Sequence, residues 1–213
     1  MIKIKYIFYK LLMFFLTLTI INSCIIVKEQ DEYITKKSDK IVVASPKSEV
    51  KMSDAVIRTP AGDMLALIPQ DWFFIETNEK ISSDIFAVAV NPDYTLAAVF
   101  STLKKTENNE NIINKEGLLG LARLCFAKHN EKAVGEISLT EKYELINIGN
   151  QKFANFSFVR VKDNGFVKSA VFISDIGNFY EFSLVTLNVT NNIIVCRNEF
   201  DKYYRSILFT LKY

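Results

Sequence analysis

The sequence predicts an α+β domain: an antiparallel sheet of about six to seven strands with a helix packed on each face. Short runs rich in Phe, Val, Ile and Tyr alternate with turn-forming residues over residues 55–213. Several of these runs are apolar at consecutive positions, so both faces of the sheet need cover. Two longer segments carry apolar residues three and four apart, and these are the helices that supply it.

The strands follow in chain order. Residues 56–59 and 64–68 flank Pro60-Ala61-Gly62-Asp63, a turn-rich break that joins two strands tightly. Residues 72–75 extend the second strand or begin a third. Further strands are expected at 85–90, 94–103, 143–148, 153–162, 166–174 and 179–189. The breaks between them are Asn91-Pro92-Asp93, Gly149-Asn150, Asp163-Asn164-Gly165 and Gly177-Asn178, and each favours a turn. The last four strands read as a meander.

Leu96-Ala97-Ala98-Val99-Phe100 and Ala170-Val171-Phe172-Ile173 are apolar on both parities. Residues 112–132 set Leu118, Leu121, Ala122, Cys125, Phe126 and His129 along one helical stripe, and residues 192–207 do the same with Cys196, Phe200, Tyr203, Tyr204 and Ile207. Asn108-Asn109-Glu110-Asn111 before the first helix reads as a solvated loop with capping chemistry.

This order resembles the PsbP-like fold, which DcrB-like lipoprotein domains share. Leu65-Ala66-Leu67-Ile68-Pro69 followed by Trp72 is similar to the opening of those domains, and Glu199-Phe200 through Ser206-Ile207-Leu208 to their closing helix. The resemblance covers residues 56–213 and implies an α/β/α sandwich that binds partners or steadies larger assemblies. It implies no shared catalytic residue.

The chain opens differently. Lys3, Lys5 and Lys10 lead into the apolar residues 11–21, and the run stops at Ile21-Asn22-Ser23-Cys24. A basic lead, a short apolar stretch and a small residue match an export signal. Extending the run to residues 6–27 would make a spanning helix, since a bilayer core needs about 20 apolar residues. That alternative puts Lys10 and Asn22 in hydrocarbon, at roughly 2.5 to 3.5 kcal/mol for a central Lys. Ile21-Asn22-Ser23-Cys24 resembles the lipobox of bacterial lipoproteins, although Asn22 is a less usual occupant of its place. The resemblance implies a signal peptide over 1–23 and a lipidated Cys24 carrying a thioether-linked diacylglycerol and usually a further acyl chain such as palmitate. Ile25 in place of an acid favours the outer membrane, on its periplasmic face. A plain signal peptide with a chance cysteine is the competing reading.

Removing residues 1–23 takes three of the 26 basic side chains, leaving 23 against 24 acids and a net charge of −1 in place of +2. Such a chain has no electrostatic footprint for nucleic acid, which needs clustered Lys and Arg. Residues 24–54 then read as a flexible tether, because 28–54 holds six Lys, six acids and only Ile41-Val42-Val43-Ala44 to bury. About 30 such residues span roughly 30 Å. The competing reading makes 41–44 an edge strand. The globular domain is expected over 55–213.

Candidates for chemistry are few. His129 is the only histidine, which excludes a two-histidine metal site and leaves a single imidazole base. Its place near a helix end favours a dipole interaction over catalysis. No Gly-x-Ser-x-Gly elbow or Gly-rich phosphate loop occurs, and no cofactor or metal site is expected. Cys125 and Cys196 are expected as separate buried thiols, because helices on opposite faces lie roughly 20 Å apart and a disulfide needs Cα atoms within about 7 Å. Trp72 caps the core or, alternatively, forms a ligand platform.

Three functions compete. The first is a membrane-anchored, non-catalytic binding or assembly-accessory module of the cell envelope with a protein partner. The second, a small-molecule or lipid binder, requires an apolar pocket between a helix and the sheet. The third is an envelope hydrolase using acids such as Asp84, Asp93 or Glu181, and no motif pairs them.

Overall fold

A computed structural model describes residues 42–44, 47–75, 83–133, 136–187 and 197–213. The elements run β1 (Val42–Ala44), β2 (Met52–Arg58), β3 (Leu65–Pro69), β4 (Phe73–Ile75), β5 (Ile85–Val90), β6 (Leu96–Leu103), α1 (Glu107–Lys132), β7 (Ile137–Ile148), β8 (Gln151–Arg160), β9 (Gly165–Ile173), β10 (Phe179–Thr186) and α2 (Arg197–Thr210). Among the described residues, eight strands form one sheet in the order β1-β7-β8-β9-β10-β6-β5-β4, and β2 and β3 form a separate pair. Every neighbour in the large sheet is antiparallel except the β1 edge, which lies parallel to β7. The α+β class, the meander β7–β10 and the helix on each face are as the sequence predicts.

The meander's turns follow from their residues. Asn164 takes a positive φ of 52°, a conformation Asn tolerates better than most side chains, while the Asp163 carboxylate accepts a hydrogen bond from the Gly165 N–H at 3.0 Å. Gly149 supplies φ 59° between β7 and β8, where a side chain would be strained.

Successive strand residues feed opposite cores. Phe153, Phe172 and Phe182 join Phe200, Tyr204 and Ile207 of α2, together with Ile57, Ala66 and Ile68 of the β2–β3 pair. Ala154, Phe156, Phe158 and Val171 join Leu121, Ala122 and Cys125 of α1. This is why the central strands are apolar on both parities. Each fully buried Phe or Leu contributes about 1.5–3 kcal/mol.

Several boundaries differ from expectation. The compact unit begins at Ile41, not at 55, and the tether reading fails from there on. β1 pairs with β7 through its backbone, Glu49 N donates to Ser206 Oγ at 3.1 Å, and Gln70 N donates to Lys51 O at 3.0 Å. β1 is the edge strand that the competing reading of 41–44 expects, whereas the bonds made by the Glu49 N–H and the Lys51 carbonyl need no apolar pattern. Residues 1–41, with the signal segment, Cys24 and the first part of the tether, lie outside the described residues, as does Cys196. The segment 108–111 is helical, not a loop: Thr106 caps α1 by accepting from Asn109 N at 3.2 Å, and Glu107 and Glu110 occupy the first turn, where acids favour the helix dipole. The helix is interrupted at Gly117 (φ 63°, ψ −145°), a conformation that is essentially glycine's. β4 is its own strand on the β5 edge, which is the second of the two readings of 72–75. No helix among the described residues is long and apolar enough to cross a membrane.

Candidate functional site

Glu181 is a lone acid in the apolar strand β10, and the period of two places it with Ser183 on the α1 side of the sheet. The side chain is 4% exposed. Across from it, the last turns of α1 deliver His129, whose Nε2 lies 2.8 Å from Glu181 Oε1. Ser183 Oγ donates to the same oxygen at 3.2 Å and lies 2.7 Å from Ser169 Oγ. The His129 ring packs 5.0 Å from that of Phe158. Burial acts to raise the Glu181 pKa, but the His129 charge and hydrogen bonds from His129, Ser169 and Ser183 outweigh it and hold the carboxyl below its ordinary value.

Cys125, one helical turn before His129, is a buried free thiol. Burial, reinforced by the Glu181 charge, pushes it well above the usual thiol range. A cysteine, a histidine, an acid and two serines therefore meet, but the carboxylate stands at the centre and takes the hydrogen bonds. Nucleophilic catalysis needs the imidazole between nucleophile and acid. Here Glu181 engages His129 Nε2, as the acid of a triad engages its imidazole, but the nearest thiol, Cys125, is turned to the same carboxylate and is pushed well above the usual thiol range by burial and the Glu181 charge.

Beside this cluster a cavity of about 330 Å³ opens between the end of α1 and the sheet. Ile85, Val99, Ile137, Phe158, Val167 and Val185 supply its apolar wall, and Asp84, Lys128, His129, Lys132, Arg160 and Glu181 also line it. Lys128 Nζ lies 3.0 Å from Asp84 Oδ2, and Lys132 Nζ lies 4.0 Å from the same atom. The hydrogen bond from Lys128 overrides burial and holds Asp84 below the usual carboxylate range.

Of the sequence candidates, Asp84, His129 and Glu181 are thus brought together, whereas Asp93 lines a different groove with Trp72, Asn91 and Tyr203. Trp72 is 7% exposed, belongs to the α2-side core and packs 5.4 Å from Tyr203. Among the described residues no group of three metal-ligating side chains converges. Sequence spacing missed the Glu181–His129 contact, which joins residues 52 apart; the available signal was a lone acid in an apolar strand with a serine two residues on.

An antiparallel sheet with one helix across each face and a small hairpin sheet on the α2 side is the PsbP-like architecture. The solution structure of cyanobacterial PsbP (CyanoP) from Synechocystis sp. PCC 6803 matches with a TM-score of 0.50 and 14% identity, over 80% of this chain and 97% of that one. A crystal structure from Bacteroides thetaiotaomicron matches with a TM-score of 0.36 and 17% identity, over 74% of this chain and 47% of the other. No protein-family model matches the chain, and no curated protein matches it in sequence.

Proposed function

We propose that the protein is a membrane-anchored lipoprotein of the bacterial cell envelope whose PsbP-like domain is a non-catalytic binding or assembly-accessory module. The observation that carries the reading is the wiring around Glu181, where the residue types of an active site meet without an activated nucleophile. Ile21-Asn22-Ser23-Cys24 supports acylation of Cys24, and two or three acyl chains hold a protein on a bilayer durably at about 0.8 kcal/mol per buried methylene. Labelling cells with an alkynyl palmitate tests the anchor. The chain should take up label and fractionate with membranes, the outer membrane first, and Cys24→Ser should abolish labelling. Unlabelled wild-type chain would sink the anchor. Photo-crosslinking in intact cells tests the partner: probes at several surface positions should recover one and the same envelope protein, and scattered products would count against it.

A second reading, a small-molecule or lipid binder, is favoured by the apolar cavity between α1 and the sheet.

A further inference from the structure

We infer that the groove where the β3–β4 turn, the β5–β6 turn and the first turn of α2 converge binds an arginine-containing segment of a protein partner, its guanidinium groups among Asp71, Asp93 and Glu199 and a backbone carbonyl on the Trp72 indole N–H. This rests on the binding-module reading and adds the site and the partner's chemistry. Each carboxylate sits on a fixed support. Asp71 lies in a turn closed by Trp72 N, which donates to Pro69 O at 3.1 Å. Asp93 lies in a turn held by Asn91, whose Oδ1 accepts from Thr95 N and Leu96 N at 2.8 Å each and whose Nδ2 donates to Thr95 Oγ1 at 2.7 Å. Glu199 stands in the first turn of α2. The three converge on Tyr203, whose phenol is pushed above its ordinary pKa by burial and then by the charges of Glu199, Asp93 and Asp71. Among the described residues none of these carboxylates has an ion-pair or hydrogen-bonding partner, and Lys51 is the one cation lining the groove. The lining therefore admits added positive charge.

A second observation is independent of charge. Trp72 is 7% exposed, and its indole N–H meets no acceptor among the described residues. No buried side-chain nitrogen or oxygen there lacks a partner, so this N–H is open to solvent at the groove that Trp72 lines. A donor without an acceptor, beside carboxylates without donors, fits a basic peptide, which carries both, better than a simple amine. Arginine suits the site better than lysine, because its fork bonds two carboxylates at once and its plane lies on an aromatic ring such as that of Tyr203. At about 670 Å³ the groove is within the range of ligand sites, roughly 300–1,000 Å³.

Trp72 is its own reporter in the test, since it is the only tryptophan of the chain. The full chain in phosphatidylcholine vesicles is titrated with acetyl-Gly-Arg-Gly-Arg-Gly-amide, with its Lys, Gln and Glu counterparts and with maltose. A saturable change in indole fluorescence is expected for the Arg peptide, about threefold weaker binding for the Lys peptide, and no saturation for the Gln and Glu peptides. Asp71→Asn, Asp93→Asn and Glu199→Gln should each weaken the Arg peptide by up to about fivefold, the range of an exposed ion pair, and the triple variant should abolish saturation. Glu110→Gln, which removes the same charge from an exposed position on α1, should leave the affinity unchanged. Lys51→Met should tighten binding by about twofold to fivefold, a gain that misfolding does not produce. Arg-peptide binding unmoved by the triple variant and by Lys51→Met overturns the site. Equal binding of the Gln peptide, or preference for maltose, overturns the cationic partner. No saturable binding by any probe overturns the whole inference, and the module reading is then decided by crosslinking alone: one envelope protein recovered keeps it, and scattered products sink it.

Discussion

The two faces of one sheet are built to different standards. On the α2 side the core is a continuous aromatic stack: Phe182 lies between Phe100 at 5.0 Å and Tyr204 at 5.4 Å, Phe172 stacks on Tyr213 at 4.6 Å, and the β2–β3 pair closes over it. On the α1 side an interrupted helix covers the same strands over a second ring cluster of Phe126, Tyr143, Phe156 and Phe158, and a hydrogen-bonded Glu181–His129 pair and a cavity stand at the end of that helix. The contrast separates a face whose grooves run along the edges of α2 from one that admits a buried carboxylate between helix and sheet, the pattern expected where polar groups are grafted on a scaffold.

Truncation should expose that contrast most strongly. Phe182→Ala removes a ring at 0% exposure with partners on both sides, so its cost should fall at the upper end of about 3–5 kcal/mol for buried Phe to Ala. Phe158→Ala also gives up ring contacts, with Phe126, Phe156 and His129, but it stands at the wall of an existing cavity, so the space it leaves opens to water rather than standing empty and the loss should fall nearer the lower end. Urea denaturation of both variants measures the difference, and equal losses would erase the distinction between the faces.

The next effect belongs to the α1 side. His129→Ala leaves the Glu181 carboxylate buried with serine partners alone, and removing one member of a buried pair costs up to about 3–5 kcal/mol. His129 is 32% exposed, so solvent softens the loss and about 2 kcal/mol is expected. The pH dependence gives the sign. A carboxyl held below its ordinary pKa contributes stability at neutral pH that disappears as pH falls through its folded value. Without His129 the Glu181 pKa rises, and the acid loss should begin at higher pH than in the wild type. An unshifted acid limb in chemical denaturation would show that the pair does not hold the charge.

The same asymmetry decides what the sequence makes legible. Turn residues and parity-independent apolar runs mark β5, β6 and β8–β10 because those signals are local. For β1 the mark is only the short apolar run 41–44, too short to decide between tether and edge strand, and what places the strand is its parallel backbone pairing with β7. The first turns of α1 are polar, and Gly117 breaks the period, so the stripe reveals only the second part of that helix. The α2-side core was readable as a set of apolar residues. The α1-side site was readable only as isolated parts, because His129 and Glu181 meet through the crossover from β6 to β7, which carries α1 back over β8–β10.

Asp63 sharpens the comparison from the other side, for the α2-facing edge also holds a carboxylate, but a purely structural one. In the turn between β2 and β3, it accepts from Thr59 Oγ1 at 2.7 Å, Ser174 Oγ at 2.6 Å, Asn178 Nδ2 at 3.0 Å and Tyr180 Oη at 2.7 Å, tying the hairpin to the β9–β10 turn. Burial acts to raise its pKa, and the four hydrogen bonds outweigh it and hold the carboxyl far below the usual range. Its contribution is therefore complete above the unfolded value of about 3.9 and fades as pH falls below it. Asp63→Asn keeps the shape, gives up the charge-assisted bonds and should cost about 1–2 kcal/mol at neutral pH. Its stability should also fall less steeply than the wild type's between about pH 4 and pH 2.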